Sequence, residues 1–403
     1  MPITINGSSG IVGANGSVTF PALTGADIDT GVFFPEANVV AFSVNSTESF
    51  RANANGIFAT ANVNVTNLTA TNIVPSSSYL RNRIINGDMR IDQRNAGAQI
   101  TAANLTTGAY MVDRWLYLSS QAAKFTAQQN AAAVTSAVGF PNYLGMTVAS
   151  AVTVGASDYF AIQQFIEGFN FADLAWGTAS AKTVTLSFVV YSSLTGTFGG
   201  SLRNSTATRS YPFTYSIPTA NTWTTISVTI AGDTSGTWVG ATNGTGVQVG
   251  FGLGVGTTYS GTAGAWSATN YVTATGAVSV VGTSGATFYI TGVQLEVGSV
   301  ATPFERQIYG TQLLQCQRYF QTVVDMMVQG YQGTGATLYN DFPLIVPMRT
   351  APTGAYTGSF SYINASAAAV NSTTANKYRL SLVVTTTGYG AGYGNPITFA
   401  AEL

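Results

Sequence analysis

Apolar and polar residues alternate with a period of two along the middle of the chain, which is the pattern of a β-strand with one buried face. In residues 183–190, Val184, Leu186, Phe188 and Val190 alternate with Thr and Ser. The same pattern recurs at 226–231, and at 247–255 the second face is mostly glycine. Residues 79–305 are therefore predicted to form a β-sandwich of about eight strands, most simply a jelly roll.

One strand in this region changes its alternation. Along residues 287–298 the apolar parity shifts after Gly292, as a bulge or bend requires. Turn clusters at 196–200 and 232–236 are predicted to separate strands, and helix is predicted only as a short turn at 170–176 and a segment at 307–317.

The N-terminal residues 1–78 show a weaker pattern. From 57 to 74, apolar or small residues alternate with Asn and Thr, which predicts short β-segments. Such a thin, polar segment cannot bury a core alone, so we expect it to gain apolar contacts by wrapping around identical chains.

The C-terminal residues 306–403 are predicted to form a separate small β-domain. Pro343 and Pro347 flank residues 344–346, and are expected to restrict that strand to a sheet edge or to bulged positions. The sequence GYGAGYGNP at 388–396 is predicted to be a flexible loop, followed by a final strand near 397–401.

Charge is scarce in this chain. Charged residues make up 8% of it, against about 25% in ordinary soluble domains, and the formal net charge is −1. Because nucleic-acid binding needs clustered Lys and Arg, and the fifteen basic residues are scattered, a nucleic-acid partner is not expected. A surface poor in charge indicates neutral partners or faces hidden between subunits.

Export and membrane signals are weak. The first residues, MPITINGSSG, have neither a basic nor a continuous apolar segment, so a signal peptide is not expected. Apolar runs are far shorter than the roughly 20 residues of a membrane-spanning helix, so no membrane insertion is expected. The lone Cys316 cannot form an intrachain disulfide, which fits synthesis in a reducing cytoplasm.

Several blocks together resemble the receptor-binding region of bacteriophage tail fibres. They are LRNRIINGDMRIDQRN (80–95), VDRWLYL (112–118), QQFIEGFNFADLAWGTASAKTVTLSFVV (163–190), NSTATRSYPFTYSIPTANTWTTISVTIAGDTSGTW (204–238), TFYITGVQLEVGSVATPFE (287–305) and LLQCQRYF (313–320). The segment TGADIDTGVFFPEANVVAFSVNSTESFR (24–51) resembles the part that precedes the fibre tip. After FPLIVPMRTAPT (342–353), no such pattern is evident.

The resemblance implies an elongated homotrimer in the virion tail, made in the cytoplasm of the host bacterium. Residues 1–78 would be the attachment and shaft segment, bound to a tail or baseplate protein. Residues 79–305 would be the jelly roll, and residues 306–403 the tip that binds a host glycan or outer-membrane receptor. Three identical chains would bind avidly even where each contact is weak.

Catalytic chemistry has few candidates here. The chain has no histidine, which removes Ser-His-Asp and Cys-His nucleophiles and the commonest zinc ligand. The first alternative function is therefore a tailspike-like polysaccharide depolymerase that uses paired carboxylates, and the second is a bacterial surface adhesin. The candidates are Asp113, Asp158, Glu167, Asp173, Asp233 and Glu296, each of which reads more simply as an ion-pair or turn residue.

No cofactor or metal site is expected. Asp27 and Asp29 could hold a cation, but two carboxylates without a calcium-loop spacing are more often turn residues.

Aromatic residues are the best candidates for receptor binding, because sugar rings pack their C–H faces on exposed Tyr or Trp. In the tip these are Tyr331, Tyr339, Tyr362, Tyr389 and Tyr393, which are expected to be presented by loops. The alternative is that several fill a trimer interface. Trp238 and Trp266 are candidates for a second glycan site, although residues of this kind are more often part of a core or sheet end.

Overall fold

The computed structural model describes residues 4–6, 10–12, 15–54, 56–59, 81–324, 326–356, 359–394 and 396–403. The chain is nearly all β, as predicted, and divides into two compact units, Met1–Ser76 and Ser77–Leu403. Most of the alternating segment at 57–74 lies outside the described residues. Within them, no helix is both long and apolar enough to cross a membrane.

The first unit contains two small antiparallel sheets. Its strands are β1 (Thr4–Asn6), β2 (Gly10–Val12), β3 (Leu23–Thr24), β4 (Gly31–Phe33), β5 (Val40–Val44), β6 (Thr47–Asn53) and β7 (Gly56–Ala59). Strand β1 pairs with β2, and β3 to β7 form a five-stranded meander. The rings of Phe42 and Phe50 stack at 4.3 Å across β5 and β6.

The second unit begins with a β-sandwich. Its strands are β8 (Ala109–Tyr110), β9 (Leu116–Ser119), β10 (Phe125–Gln129), β11 (Leu144–Val148), β12 (Tyr159–Glu167), β13 (Val184–Ser192), β14 (Gly196–Arg203), β15 (Ser210–Ile217), β16 (Thr224–Ile230), β17 (Thr245–Val255), β18 (Ser260–Gly261), β19 (Thr273–Ala274) and β20 (Thr287–Val297). A five-stranded sheet has the order β10-β11-β20-β13-β16, and a six-stranded sheet has the order β15-β14-β17-β12-β9-β8.

Short 3₁₀ turns connect some of these strands. They lie at Ala102–Asn104, Ala131–Ala133, Gly168–Asn170, Ala172–Leu174, Thr257–Tyr259 and Val280–Gly282. The predicted short turn at 170–176 is therefore confirmed as 3₁₀ structure.

The two sheets share one hydrophobic core, as the alternation predicts. Val184, Leu186 and Phe188 of β13 point into it, and the Phe188 ring meets that of Phe251 on β17 edge-on at 4.9 Å. The pairing of β13 with β20 shifts register between Ser187 and Val189, which confirms the predicted bulge beside Gly292. The two sheets together contain eleven strands, more than the eight or so expected.

One predicted turn was wrong. Residues 196–200 form the beginning of β14 rather than a turn, whereas 232–236 does lie outside the strands. The glycines at 199 and 200 are needed for close packing. A Cβ at Gly200 would lie 2.3 Å from the carbonyl oxygen of Gly250, and one at Gly199 would lie 2.4 Å from Oγ1 of Thr273.

The remaining elements follow the sandwich. They are α1 (Tyr309–Gln317), which confirms the predicted helix, β21 (Phe320–Val323), β22 (Met326–Gln332), β23 (Thr337–Pro343), β24 (Thr353–Tyr356), β25 (Phe360–Ile363), β26 (Ala365–Thr373), β27 (Lys377–Val384), β28 (Gly388–Gly394) and β29 (Ile397–Ala400). They form three antiparallel sheets with the orders β21-β29-β24, β22-β28-β25 and β23-β27-β26. A second hydrophobic core includes Met326, Val328, Leu382 and Phe399. The domain boundary at 305/306 stays a prediction.

Two predictions in this region were wrong. Residues 344–346 are not a strand, because β23 ends at Pro343 and the next amides donate elsewhere, Leu344 N to Asn376 O and Ile345 N to Gln321 Oε1. The supposed flexible loop at 388–396 contains β28, which pairs on both edges. The expected final strand is present as β29.

The C-terminal residues are joined to the sandwich by charge. The carboxylate of Glu402 accepts hydrogen bonds from Arg94 Nη2 at 2.7 Å and from Arg114 Nη1. The Arg114 side chain is 1% exposed. Arg349 Nη2 also donates to the backbone oxygen of Glu402. The buried Arg114 guanidinium of the sandwich is thus neutralised by the carboxylate of Glu402, near the C-terminal end of the chain.

Candidate functional site

The five predicted tip tyrosines are all exposed, but strands rather than loops present them. Tyr331 is 75% exposed on β22, and the others are between 42% and 55% exposed. They are Tyr339 on β23, Tyr362 on β25, and Tyr389 and Tyr393 on β28. The expectation of loops was wrong, because the glycines next to Tyr331, Tyr389 and Tyr393 lie within strands.

Three of these tyrosines lie on one side of the sheet β22-β28-β25. Tyr331 is directly opposite Tyr389, and Tyr393 is four residues further along β28, so the alternation of a strand puts all three on the same side. Gln329 and Ile363 both lie opposite Ala391 on this side. We call Tyr331, Tyr389, Tyr393, Gln329 and Ile363 the tyrosine face.

The other side of this sheet is packed against the second core. Met326 and Val328 are buried there, and the Tyr378 hydroxyl donates to Met326 Sδ at 2.6 Å. The glycines of β28 also point to this side, where a Cβ at Gly394 would lie 2.2 Å from the Phe360 ring. The Tyr-Gly alternation therefore places rings outward and leaves room for the core inward. It is the strand signal that the sequence interpretation missed.

The tyrosine face carries hydrogen-bonding groups but no charge. The remaining positions of this side on the described strands are Met327, Ser361 and Ala391, so none of these described residues is ionised. The Tyr389 hydroxyl donates to Gln329 Oε1 at 2.6 Å. Partial burial is the main cause that raises the pKa of Tyr389, and the neighbouring Tyr393 raises it further. This phenol is therefore neutral at pH 7.

The other two predicted tyrosines lie apart from this face. Tyr339 is on the outer side of β23, where the Arg379 guanidinium lies 5.8 Å from its ring and pairs with Asp341. The Tyr362 hydroxyl accepts a hydrogen bond from Ala368 N at 3.1 Å, and its ring stacks on Phe360. The structure thus brings together three of the five.

Trp238 and Trp266 belong to an aromatic cluster at the edge of the sandwich. Their rings lie 5.5 Å apart, and each meets the Trp176 ring edge-on at about the same distance. Trp238 Nε1 donates to Ser235 O at 3.1 Å, and Trp266 Nε1 donates to Ala231 O at 2.7 Å. Both side chains are half-buried, so packing accounts for them, and a glycan site there stays a prediction.

Each carboxylate considered for catalysis already has protein donors. Glu167 accepts from Arg318 Nε at 2.9 Å and from the Tyr319 hydroxyl at 2.6 Å. Burial raises its pKa, but these hydrogen bonds outweigh burial and hold the pKa below its usual range. The donors to the others are Gln93 for Asp113, Ser120, Gln121 and Gly155 for Asp158, Arg83 for Asp173, Arg209 for Asp233, and Gln294 and Thr302 for Glu296.

Glu167 lines a cleft of about 340 Å³ that the sequence did not predict. Other lining residues include Asn82, Phe169, Gln315 and Arg318, which come from three distant parts of the chain. Such a cleft has no local sequence signal.

Within the described ranges, no three Asp, Glu, His or Cys side chains group as metal ligands. Asp27 Oδ1 instead accepts from Asp29 N at 3.4 Å, as in a turn.

Comparison with known proteins gives limited similarity. No family model matches the chain, and no curated protein matches it. A CBM4 carbohydrate-binding module aligns with 53% of this chain and 98% of its own, at 13% identity and a TM-score of 0.27.

Two other solved structures are similar at the same level. The family 11 carbohydrate-binding module of Clostridium thermocellum, in complex with a β-1,3-1,4-mixed-linked tetrasaccharide, covers 49% of this chain and 96% of its own (12% identity, TM-score 0.26). The N-terminal cellulose-binding domain of Cellulomonas fimi β-1,4-glucanase C covers 40% and 80% (12% identity, TM-score 0.21). Similarity of this degree establishes neither the family nor the ligand of this chain.

Proposed function

We propose that this protein is a receptor-binding fibre of the phage-tail type, which attaches to a host-surface glycan through the tyrosine face without cleaving it. The observation that carries the proposal is the geometry of Tyr331, Tyr389 and Tyr393. Their phenol rings are exposed together on one side of a sheet whose other side packs against the second core through Met326 and Val328.

Exposed aromatic rings on a rigid strand surface suit a neutral sugar. The apolar C–H face of a pyranose packs on a phenol ring, and such rings lose little conformational entropy on binding. The hydroxyls of Tyr393 and Ser361 and the amide of Gln329 would hydrogen-bond to sugar hydroxyls. Since the face holds no ionised group, nothing on it requires a charged ligand.

The state of the carboxylates favours binding over hydrolysis. A glycosidase needs two carboxyl groups facing each other across the scissile bond, with room for the sugar between them. The six candidates are instead hydrogen-bonded within the fold, and each of them accepts from an arginine or from at least two donor groups. These contacts support a structural role for each.

The assembly belongs to the same proposal. Three identical chains would present three tyrosine faces toward the host, with the N-terminal unit toward the virion tail, and weak single contacts would add up through effective concentration. The resemblance to tail fibres supports this arrangement, as does the small number of buried side chains among the described residues of the first unit.

Binding of the fluorescently labelled chain to candidate host cells, measured by flow cytometry, tests the proposal. Tyr331→Ala with Tyr389→Ala should weaken binding by at least about tenfold, equivalent to about 1.4 kcal/mol. Tyr309→Ala is the matched control, since Tyr309 is 55% exposed on α1 and lies outside the face. Control-like binding by the double variant would contradict the proposal.

Two further measurements separate the alternatives. If light scattering shows that the double variant loses subunits, the tyrosine face is a contact between chains and not a receptor site. If the wild-type chain releases reducing sugar from host polysaccharide, the depolymerase replaces the non-catalytic fibre.

A further inference from the structure

A second cavity lies on the outer side of the six-stranded sheet of the sandwich. Its volume is about 190 Å³, and it is lined by Leu118, Tyr159, Arg203, Tyr259, Asn270 and Val272. The segment 256–274 crosses over the sheet and supplies half of these residues. We call this cavity the Arg203 pocket.

The pocket is held in shape by hydrogen bonds between the crossing segment and the sheet. Ser210 Oγ on β15 donates to Thr269 O at 2.6 Å, and the backbones of Ser210 and Ser267 form a β-bridge. Val272 N donates to Tyr259 O at 2.8 Å. The rings of Tyr159 and Tyr259 meet edge-on with centroids 5.4 Å apart. The walls are therefore preformed.

Arg203 is the unusual group in this pocket. It is 5% exposed, and its guanidinium donates to Asn270 Oδ1 at 2.9 Å and to Gln163 Oε1 at 2.7 Å. Both acceptors are neutral amides. No carboxylate in the described part of the chain lies within ion-pair distance of it, in contrast to Arg209, which pairs with Asp233, and Arg318, which pairs with Glu167.

Burying a cation without a counter-charge is unfavourable, because the lost hydration is not replaced by an opposite charge. Burial lowers the pKa of Arg203 to about 10. The guanidinium is still protonated at pH 7, so the pocket holds a permanent positive charge. A guanidinium has five N–H donors, and within the described part of the chain two hydrogen bonds, to Asn270 and Gln163, occupy those of Arg203.

We propose that the Arg203 pocket binds the carboxylate-bearing unit of an acidic glycan. The guanidinium would receive the carboxylate, Asn270 would hydrogen-bond to a neighbouring hydroxyl, and the Tyr159 and Tyr259 rings would pack on the sugar. Guanidinium groups match planar carboxylates with paired hydrogen bonds. Pockets for drug-sized ligands are about 300–1,000 Å³, so 190 Å³ suits a single sugar unit.

This inference is independent of the proposed function, since the Arg203 pocket and the tyrosine face share no residue. A fibre with both sites would bind two kinds of sugar unit in a surface polysaccharide, a neutral one at the tyrosine face and an acidic one in the Arg203 pocket.

Calorimetry on the full chain tests the pocket. The probes are oligosaccharides of D-galacturonate, D-glucuronate and N-acetylneuraminate, each compared with its methyl ester, which keeps the shape and removes the charge. At least one acid should bind, and its ester should bind at least about tenfold more weakly. Binding of none of the acids, equal binding of acid and ester, or equally tight binding of inorganic phosphate would each overturn the proposal.

Variants locate the binding. Arg203→Gln should abolish binding of the acid, and Arg203→Lys, which keeps the charge but not the paired hydrogen bonds, should weaken it by about tenfold. Lys182→Gln removes one exposed positive charge from the same unit and should bind like wild type.

Thermal melting accompanies each titration. If Arg203→Gln fails to fold, Tyr259→Ala is substituted for it, and unchanged binding by that variant overturns the proposal. The Tyr331→Ala and Tyr389→Ala variant should still bind the acid, so that failure of one site is distinguishable from failure of the other.

Discussion

The single buried carboxyl group of Asp113 makes the stability of this fold depend on pH. The side chain is 1% exposed and accepts hydrogen bonds from Gln93 N at 2.6 Å and Gln93 Nε2 at 3.1 Å. Burial raises its pKa to about 6, although these hydrogen bonds partly oppose the shift. In an unfolded chain an Asp carboxyl has a pKa of about 3.9.

The sign of the effect on stability follows from these two values. Between about pH 4 and pH 6 the folded chain binds a proton at Asp113 that the unfolded chain has already released. Asp113 therefore lowers the free energy of unfolding as pH rises through this window. Its contribution should be up to about 2 kcal/mol more favourable at pH 4 than at pH 7.

Urea unfolding at pH 4, 5 and 7 checks this. We expect Asp113→Asn to be more stable relative to wild type at pH 7 than at pH 4. Glu167, whose pKa is lowered, has the opposite dependence, and its contribution is lost as pH falls. The comparison must therefore be between variant and wild type at each pH. A difference independent of pH would refute the assignment.

Single residues also show which parts of the candidate sites can be predicted from the sequence and which cannot. The five tip tyrosines are exposed in the single chain, but strands present them and not the loops expected from their glycine-rich neighbours. Arg203 was not singled out, because nothing in its local sequence marks it as buried. Its environment depends on Gln163 and Asn270, 40 and 67 residues away.

At the scale of elements, β20 depends on one glycine. Gly292 has a φ of +61° at the bulge, where an L-residue is strained, and a Cβ there would lie 2.6 Å from the Phe140 ring. This is the position at which the apolar parity shifts in the sequence, so local pattern and local geometry agree.

Gly292→Ala should lower the free energy of unfolding by about 2–4 kcal/mol, because backbone strain and a clash with Phe140 add. Gly240→Ala is the control, since a Cβ at Gly240 meets nothing within 4 Å and its φ is not positive. Chemical denaturation of both variants measures the difference. Equal stability of the two would mean that the bulge relaxes without strain.

In strand β28, by contrast, the local sequence pattern and the observed structure disagree. Four glycines in seven residues favoured a loop, since glycine weakens an isolated strand. In the structure β28 is the central strand of its sheet, and the core side chains facing its glycines provide the packing that the glycines lack. Tertiary contacts of this kind override local propensity and cannot be read from the segment alone.

At the scale of the whole molecule, long-range hydrogen bonds in the second unit join sequence blocks that resemble tail fibres in pairs. Glu167 in the block 163–190 bonds to Arg318 and Tyr319 in the block 313–320. Asn82 in the first block bonds to Val293 and Glu305 in the block 287–305. The predicted sandwich was correct because it rests on local alternation, whereas these long-range pairings have no local pattern.

The hydrophobic clusters formed by the described residues of the second unit all lie between Ile84 and Ala401. A chain of residues 77–403 should therefore fold alone, with a Tm within about 2 °C of the main transition of the full chain, a shift that corresponds to about 1 kcal/mol at this size. Differential scanning calorimetry measures both. A much lower Tm for the shorter chain would show that the first unit, or assembly through it, stabilises the second.

The pairing of Arg114 with Glu402 also has a consequence for the order of folding during translation. The two residues are 288 positions apart, and a ribosome that adds about 5–20 residues per second needs about 15–60 s to pass from one to the other. During that interval the nascent sandwich has its buried guanidinium without this carboxylate. On nascent chains stalled before residue 402, pulse proteolysis should find the sandwich more open than on the released chain. We therefore expect the sandwich to close fully only after translation of Glu402, a residue that lies outside the sandwich.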